Sequence, residues 1–445
     1  MKYIFPDNLY TEIRIEDFYQ TSFSMKNNII ENNTEVSIIG ARIRIFDGNM
    51  WYTTVTNNIE SIQLEINNLA QLATPNKKIL ENDIIKNCKI NKAKELHFQN
   101  EENVRHITQS DKEKICQFFY SECKNTLKEI DNSITTNFYA TSIVKSLFTS
   151  KGSEIIQDYQ RCIFILEQEL FLQNGPYTTI KQIYDFYYKN LFNQINDVKQ
   201  EIIRNYEFAI NAKPIQPGNY ICVLSPEVTS VFTHEIFGHK SESDYMLNDK
   251  TLQKEWILGK QVGNKNVTIL DDGKLFLNGY CPYDDEGNKK ECVYLIKKGI
   301  LVGRLHDAKS ATILKEKPTG NARAQSFYYN PLVRMTNTYM KPGKESPDEI
   351  IASVKDGIYI YNYQFGTGNS IFTIKPKICY RIKNGKISEP INVSLITGSV
   401  FQTLFDIESI GNDLKFYSGT CGKENQFIPT TTGGPTIKVK KLTIN

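Results

Sequence analysis

The sequence predicts an α+β protein: a mixed α/β N-terminal domain, then a β-rich domain that carries a metal-binding helix. Three observations predict it. In the first half, apolar residues recur both at period two and at helical spacing. After residue 220, short apolar runs are punctuated by closely spaced turn signals. Between the two textures lies NAKPIQPGN, residues 211–219, with two prolines and a glycine. The expected domains are therefore 1–212 and 213–445, and 445 residues are too many for one ordinary core.

Each element follows from its own pattern. Residues 34–47 alternate with β-branched side chains and predict a strand, Asp47-Gly48-Asn49 a turn, and residues 50–55 a second strand. Ile59, Ile62, Leu64, Ile66, Leu69, Ala70 and Ala73 keep helical spacing, with Pro75 as the stop. Another helix is expected after Ser110, an N-cap residue with Glu113 three positions on. Residues 135–170 predict a hairpin turning at Ser150-Lys151-Gly152, and residues 178–208 one long helix. Beyond the linker, residues 220–225 predict a short strand ahead of a helix bearing two histidines. Asp271-Asp272-Gly273, Asp285-Glu286-Gly287, Lys298-Gly299 and Asn384-Gly385 then mark turns between strands.

Composition narrows the function classes. No run approaches the roughly 18 apolar residues that cross a bilayer, so no membrane partner is expected. The N-terminus has no basic segment followed by an apolar one, and a cytosolic location is the expectation. With 53 basic and 50 acidic residues the net charge is only +3, which offers no nucleic-acid footprint. Nine cysteines, odd in number and without a CxxC, read as reduced and mostly buried thiols.

The informative hexapeptide is His234-Glu235-Ile236-Phe237-Gly238-His239, in a chain with five histidines. An HExxH helix places two imidazoles on one face with a carboxylate beside the metal-bound water. Here there is one residue more. Positions five apart on a regular helix differ by about 140° and rise about 7.5 Å, so the two rings would not converge. Convergence requires a π-bulge, or a helix that ends at Gly238. Without it, both histidines are ordinary polar residues. Thr233 can orient the turn, and Glu235 stands where a general base belongs. Glu242 and Asp244 can bind a metal or orient the histidines, and on spacing alone Glu242 would be the third ligand. His306, Arg323 and a nearby tyrosine are candidates to stabilise an oxyanion, though such residues are more often structural.

With this motif and the segments downstream of it, the chain resembles the TldD/PmbA family, on its TldD side. The resemblance is patchy before residue 215, where IGARIRIFDGNMWYTTV (39–55) carries it, and dense afterwards. It runs through residues 217–244, TILDDG (268–273), PYDDEG (282–287), KKGILVGRLHD (297–307), TGNARAQS (319–326), RMTNTYMKPG (334–343), GTCGKENQ (419–426) and GGPTIKVKKLTI (433–444). It implies a zinc-dependent metallopeptidase holding one Zn2+ per chain through His234, His239 and Cys421, with Glu235 as the general base. On the residues alone Cys421 reads as an inert cysteine in a turn-forming loop. The resemblance also implies unfolded or extended peptide substrates and a dimer, with itself or with a PmbA-like partner. A thiolate with two imidazoles suits zinc better than magnesium or calcium and leaves iron open. Two departures touch no expected ligand: the chain ends Leu442-Thr443-Ile444-Asn445 without a glycine pair, and Gln426 follows Glu424-Asn425 where a small residue is usual. The rival readings are a non-catalytic PmbA-like partner, a nucleic-acid-associated regulator, and a zinc hydrolase of non-peptide substrates.

Overall fold

Side-chain alternation along the first 185 residues builds one large sheet. Its strands are β1 (Tyr10–Lys26), β2 (Ile29–Phe46), β3 (Trp51–Thr56), β4 (Lys92–Glu95), β5 (Asn132–Thr149), β6 (Glu154–Leu172) and β7 (Gly175–Asp185). The order is β3-β2-β1-β5-β6-β4, with β7 also paired to β6. The computed structural model describes residues 3–368 and 371–445 and divides into two compact units. The sheet belongs to the N-terminal unit, made of residues up to Asn82, Ile90–Ile210 and Ser326–Tyr328. One face is apolar, and helices cover it. Ile62 and Ile66 of the Ile62–Leu72 helix pack with Ile13 and Ile43. Ile115 and Phe119 of the Gln109–Thr126 helix pack with Phe138 and Phe164, the Phe119 and Phe164 rings stacking at 4.2 Å.

One strand was not foreseen, and two local expectations are corrected. β1 is hidden in the sequence, because Glu12, Arg14 and Glu16 interrupt its apolar pattern. They are tolerated because Arg44 pairs with Glu12 at 2.5 Å and Arg14 with Glu16 at 3.2 Å. Residues 178–208 are not one helix. Thr178-Thr179-Ile180 extends as part of β7 against β6, and a helix runs only over Ile195–Asn211 after two short turns. Runs of β-branched residues favour the pleated strand. The N-cap of the Gln109–Thr126 helix is Thr108 rather than Ser110, because Thr108 and Asp111 exchange both capping-box hydrogen bonds.

The C-terminal unit comprises Asp83–Lys89, Asn211–Gln325 and Tyr329–Asn445. It contains two main sheets. In the eight-stranded one, the Asp356–Gly368 strand pairs with both Gly218–Leu224 and Ile371–Lys383. Gly218–Leu224 pairs onward to Ile437–Ile444, then Ile396–Ser399, then back to Ile371–Lys383. Five strands thus close into a ring, which leaves none of them an open edge within it. The six-stranded sheet ends Asn337–Met340, Gln426–Gly434, Lys415–Lys423. The helix Pro226–Thr233 packs between strands of both sheets. Its Phe232 meets Phe372 edge-on at 5.2 Å, and Phe237 stacks on Trp256 at 6.3 Å, in one core with Ile374, Leu404 and Val439. The turn residues behave as their chemistry predicts: Lys298-Gly299 and Asn384-Gly385 have positive φ at both positions. All nine cysteines are free, and among the described residues no helix is long and apolar enough to cross a membrane.

Candidate metal centre

Ser225 caps the histidine helix by accepting from the Val228 N–H, and Pro226 occupies its first turn, where a missing N–H costs nothing. The α-helix runs to Thr233 and becomes a π-turn over His234–Gly238, in which the His239 N–H bonds the His234 carbonyl. This i→i+5 bond absorbs the extra residue of the motif. The two imidazoles then face each other edge-to-face, with ring centroids 5.0 Å apart. Gly238 makes the turn possible by close packing: a Cβ there would lie 1.9 Å from Met335 Sδ.

Cys421 does not sit in a loop. It lies on the Lys415–Lys423 strand opposite Ile428, and the hairpin turns instead at Glu424-Asn425, both with positive φ. The flanking glycines that read as a turn lie within the strand. His234, His239 and Cys421 bring three ligating atoms within 4.8 Å of one another, and Cys421 Sγ is 3.5 Å from His239 Nε2. Burial opposes a thiolate, yet the neighbouring His234 and His239 hold the Cys421 thiol down at about 5. Burial likewise opposes an imidazolium, but the Glu242 carboxylate and Cys421 lift His239 to about 11. Two imidazoles and a thiolate are a zinc donor set. The buried His234 Nδ1 has no hydrogen-bond partner among the described residues. Such an orphan is costly in a purely structural cluster and natural in one completed by a metal and water. The residues fit a zinc ion.

Glu242 is not part of this trio. It is fully buried, accepts from His239 Nδ1 at 3.1 Å, and lies 3.3 Å from both the Met335 N–H and Lys423 Nζ. Its place is to orient His239 and keep Nε2 turned toward Cys421. Lys423, two residues after the cysteine, escaped sequence reasoning. Its buried ammonium bonds both oxygens of Asp244, at 2.7 and 2.8 Å, and the Val333 carbonyl, with the Tyr245 ring 4.0 Å away. Arg334, also missed, is fully buried and bonds the carbonyls of Cys421 and Gln426, which fixes the tip of the hairpin. Gln426, a departure from the family pattern, accepts from the Gln325 N–H and donates to the Asn330 carbonyl. Thr233 hydrogen-bonds the Thr229 carbonyl within its own helix.

The structure gives the oxyanion candidates other partners. His306 is buried, with Nδ1 near Ser243 and Ser310 and Nε2 3.1 Å from Glu316. Arg323 is spent on the carbonyls of Met335 and Pro429. Glu235 and His239 instead line an open cavity of about 530 Å³ together with Lys240, Tyr245, Glu255 and Gly422.

A cysteine and two imidazoles brought together, with one of those imidazoles and a glutamate lining a cavity, are the equipment of a metal-dependent hydrolase. Comparison with known proteins narrows the class to metallopeptidases. Residues 217–445 match the PmbA/TldA metallopeptidase C-terminal domain, and residues 11–73 match PmbA/TldA metallopeptidase domain 1. A metalloprotease of Methanocaldococcus jannaschii is 29% identical over 442 residues, spanning 96% of this chain and 95% of its own. A zinc metalloprotease TldD homolog of Saccharolobus solfataricus is 32% identical over 329 residues, 72% of this chain and 73% of its own. The fold is also that of TldE from Thermococcus kodakarensis, with a TM-score of 0.76 at 15% identity over 98% and 96% of the two chains. The chain belongs to the TldD/PmbA family of metallopeptidases.

Proposed function

We propose that the chain is a zinc peptidase that hydrolyses extended or unfolded peptides, with zinc held by His234, His239 and Cys421. The observation that carries this reading is the approach of those three ligating atoms to within 4.8 Å, with His239 lining the same cavity as Glu235. One bound zinc supplies a Lewis acid that polarises the scissile carbonyl and acidifies water. Glu235, half-buried at the cavity, accepts the proton of the attacking water and hands it to the leaving amine. Glu242 keeps His239 in the tautomer with Nδ1–H. The Cys421 strand is outermost in its sheet, so an extended peptide can pair along it beside Glu235. Such main-chain pairing tolerates many sequences.

Free thiols throughout fit a reducing, cytosolic compartment. A dimer, with itself or with a PmbA-like partner, is part of the same proposal. It is supported by β2: β3 pairs only with Ala41–Phe46, which leaves Ile29, Ile30, Val36 and Ile39 exposed on a strand edge. The deciding experiment measures metal content and peptide turnover in the wild type, Cys421→Ser and Glu235→Gln. Expected are about one zinc per chain in wild type, loss of zinc in Cys421→Ser, and in Glu235→Gln retained zinc with turnover lowered about 10²–10⁴-fold. Full zinc in Cys421→Ser, or wild-type turnover in Glu235→Gln, would sink the respective assignment.

A further inference from the structure

Lys240 follows the second histidine and lines the same cavity as Glu235 and His239. Its side chain is only 8% exposed. An ammonium carries three donors and needs acceptors for them when buried. No side chain or carbonyl lies within hydrogen-bond distance of Lys240 among the described residues. Its contacts are Glu255 at 3.8 Å, too long for a direct hydrogen bond, and the Phe401 ring at 6.0 Å, the outer limit of a cation–π contact. By contrast Lys423, whose side chain is wholly buried, bonds two carboxylates and a carbonyl, and Lys290 bonds Asp271 and Asn321. Lys240 is therefore a largely buried side chain at the cavity wall, paired only at long range with Glu255, whose ammonium donors are available to a group that enters the cavity.

We propose that Lys240 binds a carboxylate of the peptide substrate, the peptide's own C-terminus in the first instance. This rests on the peptidase reading and gives it a substrate class. Because Lys240 and His239 line the same cavity, a carboxylate held by Lys240 lies within a few residues of the bond to be cut. The enzyme then removes short C-terminal fragments in preference to cutting mid-chain. Glu255 remains the resting counter-ion and is displaced, not repelled, when the stronger hydrogen-bonding partner arrives. The other source of the same chemistry is an Asp or Glu side chain close to the scissile bond.

The test uses one peptide sequence in three forms: free C-terminal acid, C-terminal amide, and amide with a Glu in place of Gln near its end. Turnover is measured with wild type, Lys240→Gln and Lys240→Arg, with metal content checked in each. Equilibrium binding is measured separately on Glu235→Gln. Expected is a preference of about tenfold or more for the free acid, seen in KM more than kcat, levelled in Lys240→Gln and kept in Lys240→Arg. A preference for the Glu-bearing amide alone would overturn the C-terminal assignment and move the carboxylate to a side chain. Equal handling of all three forms, or a preference surviving in Lys240→Gln, would overturn the proposal. If no form is turned over by zinc-loaded wild type, the peptidase reading fails, and the binding measurement still decides whether Lys240 takes a carboxylate.

Discussion

His239 is gripped at both ring nitrogens, by Glu242 on one side and Cys421 on the other. Behind Glu242 stands Lys423, which no solvent reaches. Lys423→Met leaves Glu242 and Asp244 facing each other without their cation. The cost is expected at about 3–5 kcal/mol, as for any buried pair broken from one side. Metal affinity should fall about 10–100-fold, as happens when an outer partner of a ligand is lost. Thermal unfolding and zinc titration read the two effects; unchanged affinity would show that Glu242 orients His239 without Lys423. Gly238→Ala acts through sterics alone. With Met335 Sδ in the way of the new methyl group, a loss of about 1–3 kcal/mol is expected, and a melting temperature equal to wild type would mean that Met335 swings aside freely.

The element that presents the thiolate is a hairpin with a two-residue turn, Glu424-Asn425, in which both residues have left-handed φ (47° and 61°). Glutamate is a poor occupant of that conformation, and Asn-Gly is the preferred pair. Replacing the two by Asn-Gly is expected to stabilise the chain by about 1 kcal/mol with zinc retained; a lower melting temperature would count against this account of the turn. The hairpin also shows what the sequence could reveal. The π-turn was legible because an HExxxH helix has no other regular way to converge its histidines. The strand position of Cys421 was not, because glycines at 419 and 422 look like a turn wherever they stand. β1 and β7 were obscured for the opposite reason: charged residues inside β1 and aromatic residues spread across 177–192 blur period two. Lys423 and Arg334 left no local signal. Their partners lie 181 and 87 residues away, and only the folded chain shows them. Cys421 as the proposed third ligand came from resemblance to a family; the residues alone pointed to Glu242.

Across the whole C-terminal unit, stability leans on buried charge as well as apolar packing. Asp271 has no solvent exposure and accepts from Lys290, Asn321, Thr336 and Thr338. Burial alone would raise its pKa, but Lys290 at 2.7 Å and the other donors hold it at about 2, below the ordinary 3.8. A folded value below the unfolded one means that the contribution is complete above about pH 4. It fades as the pH falls through about 2, and is worth on the order of 2 kcal/mol. Urea unfolding between pH 4 and pH 2 should therefore lose stability more steeply in wild type than in an Asp271→Asn/Lys290→Met double variant. Equal slopes would remove Asp271 from the acid response.

The strand that carries the thiolate and the strand that completes the closed ring both come late in the chain, Cys421 lying 182 residues after His239. On a ribosome adding about 5–20 residues each second, the histidine helix waits about 10–40 seconds for its third partner. Over that interval Gly218–Leu224 also lacks its neighbour Ile437–Ile444. The order of synthesis thus brings Cys421 to the two histidines only when the strand that closes the surrounding ring is also about to be made. A fragment ending at Thr420 is expected to carry no zinc and cut nothing; zinc bound by such a fragment would show that the histidines suffice.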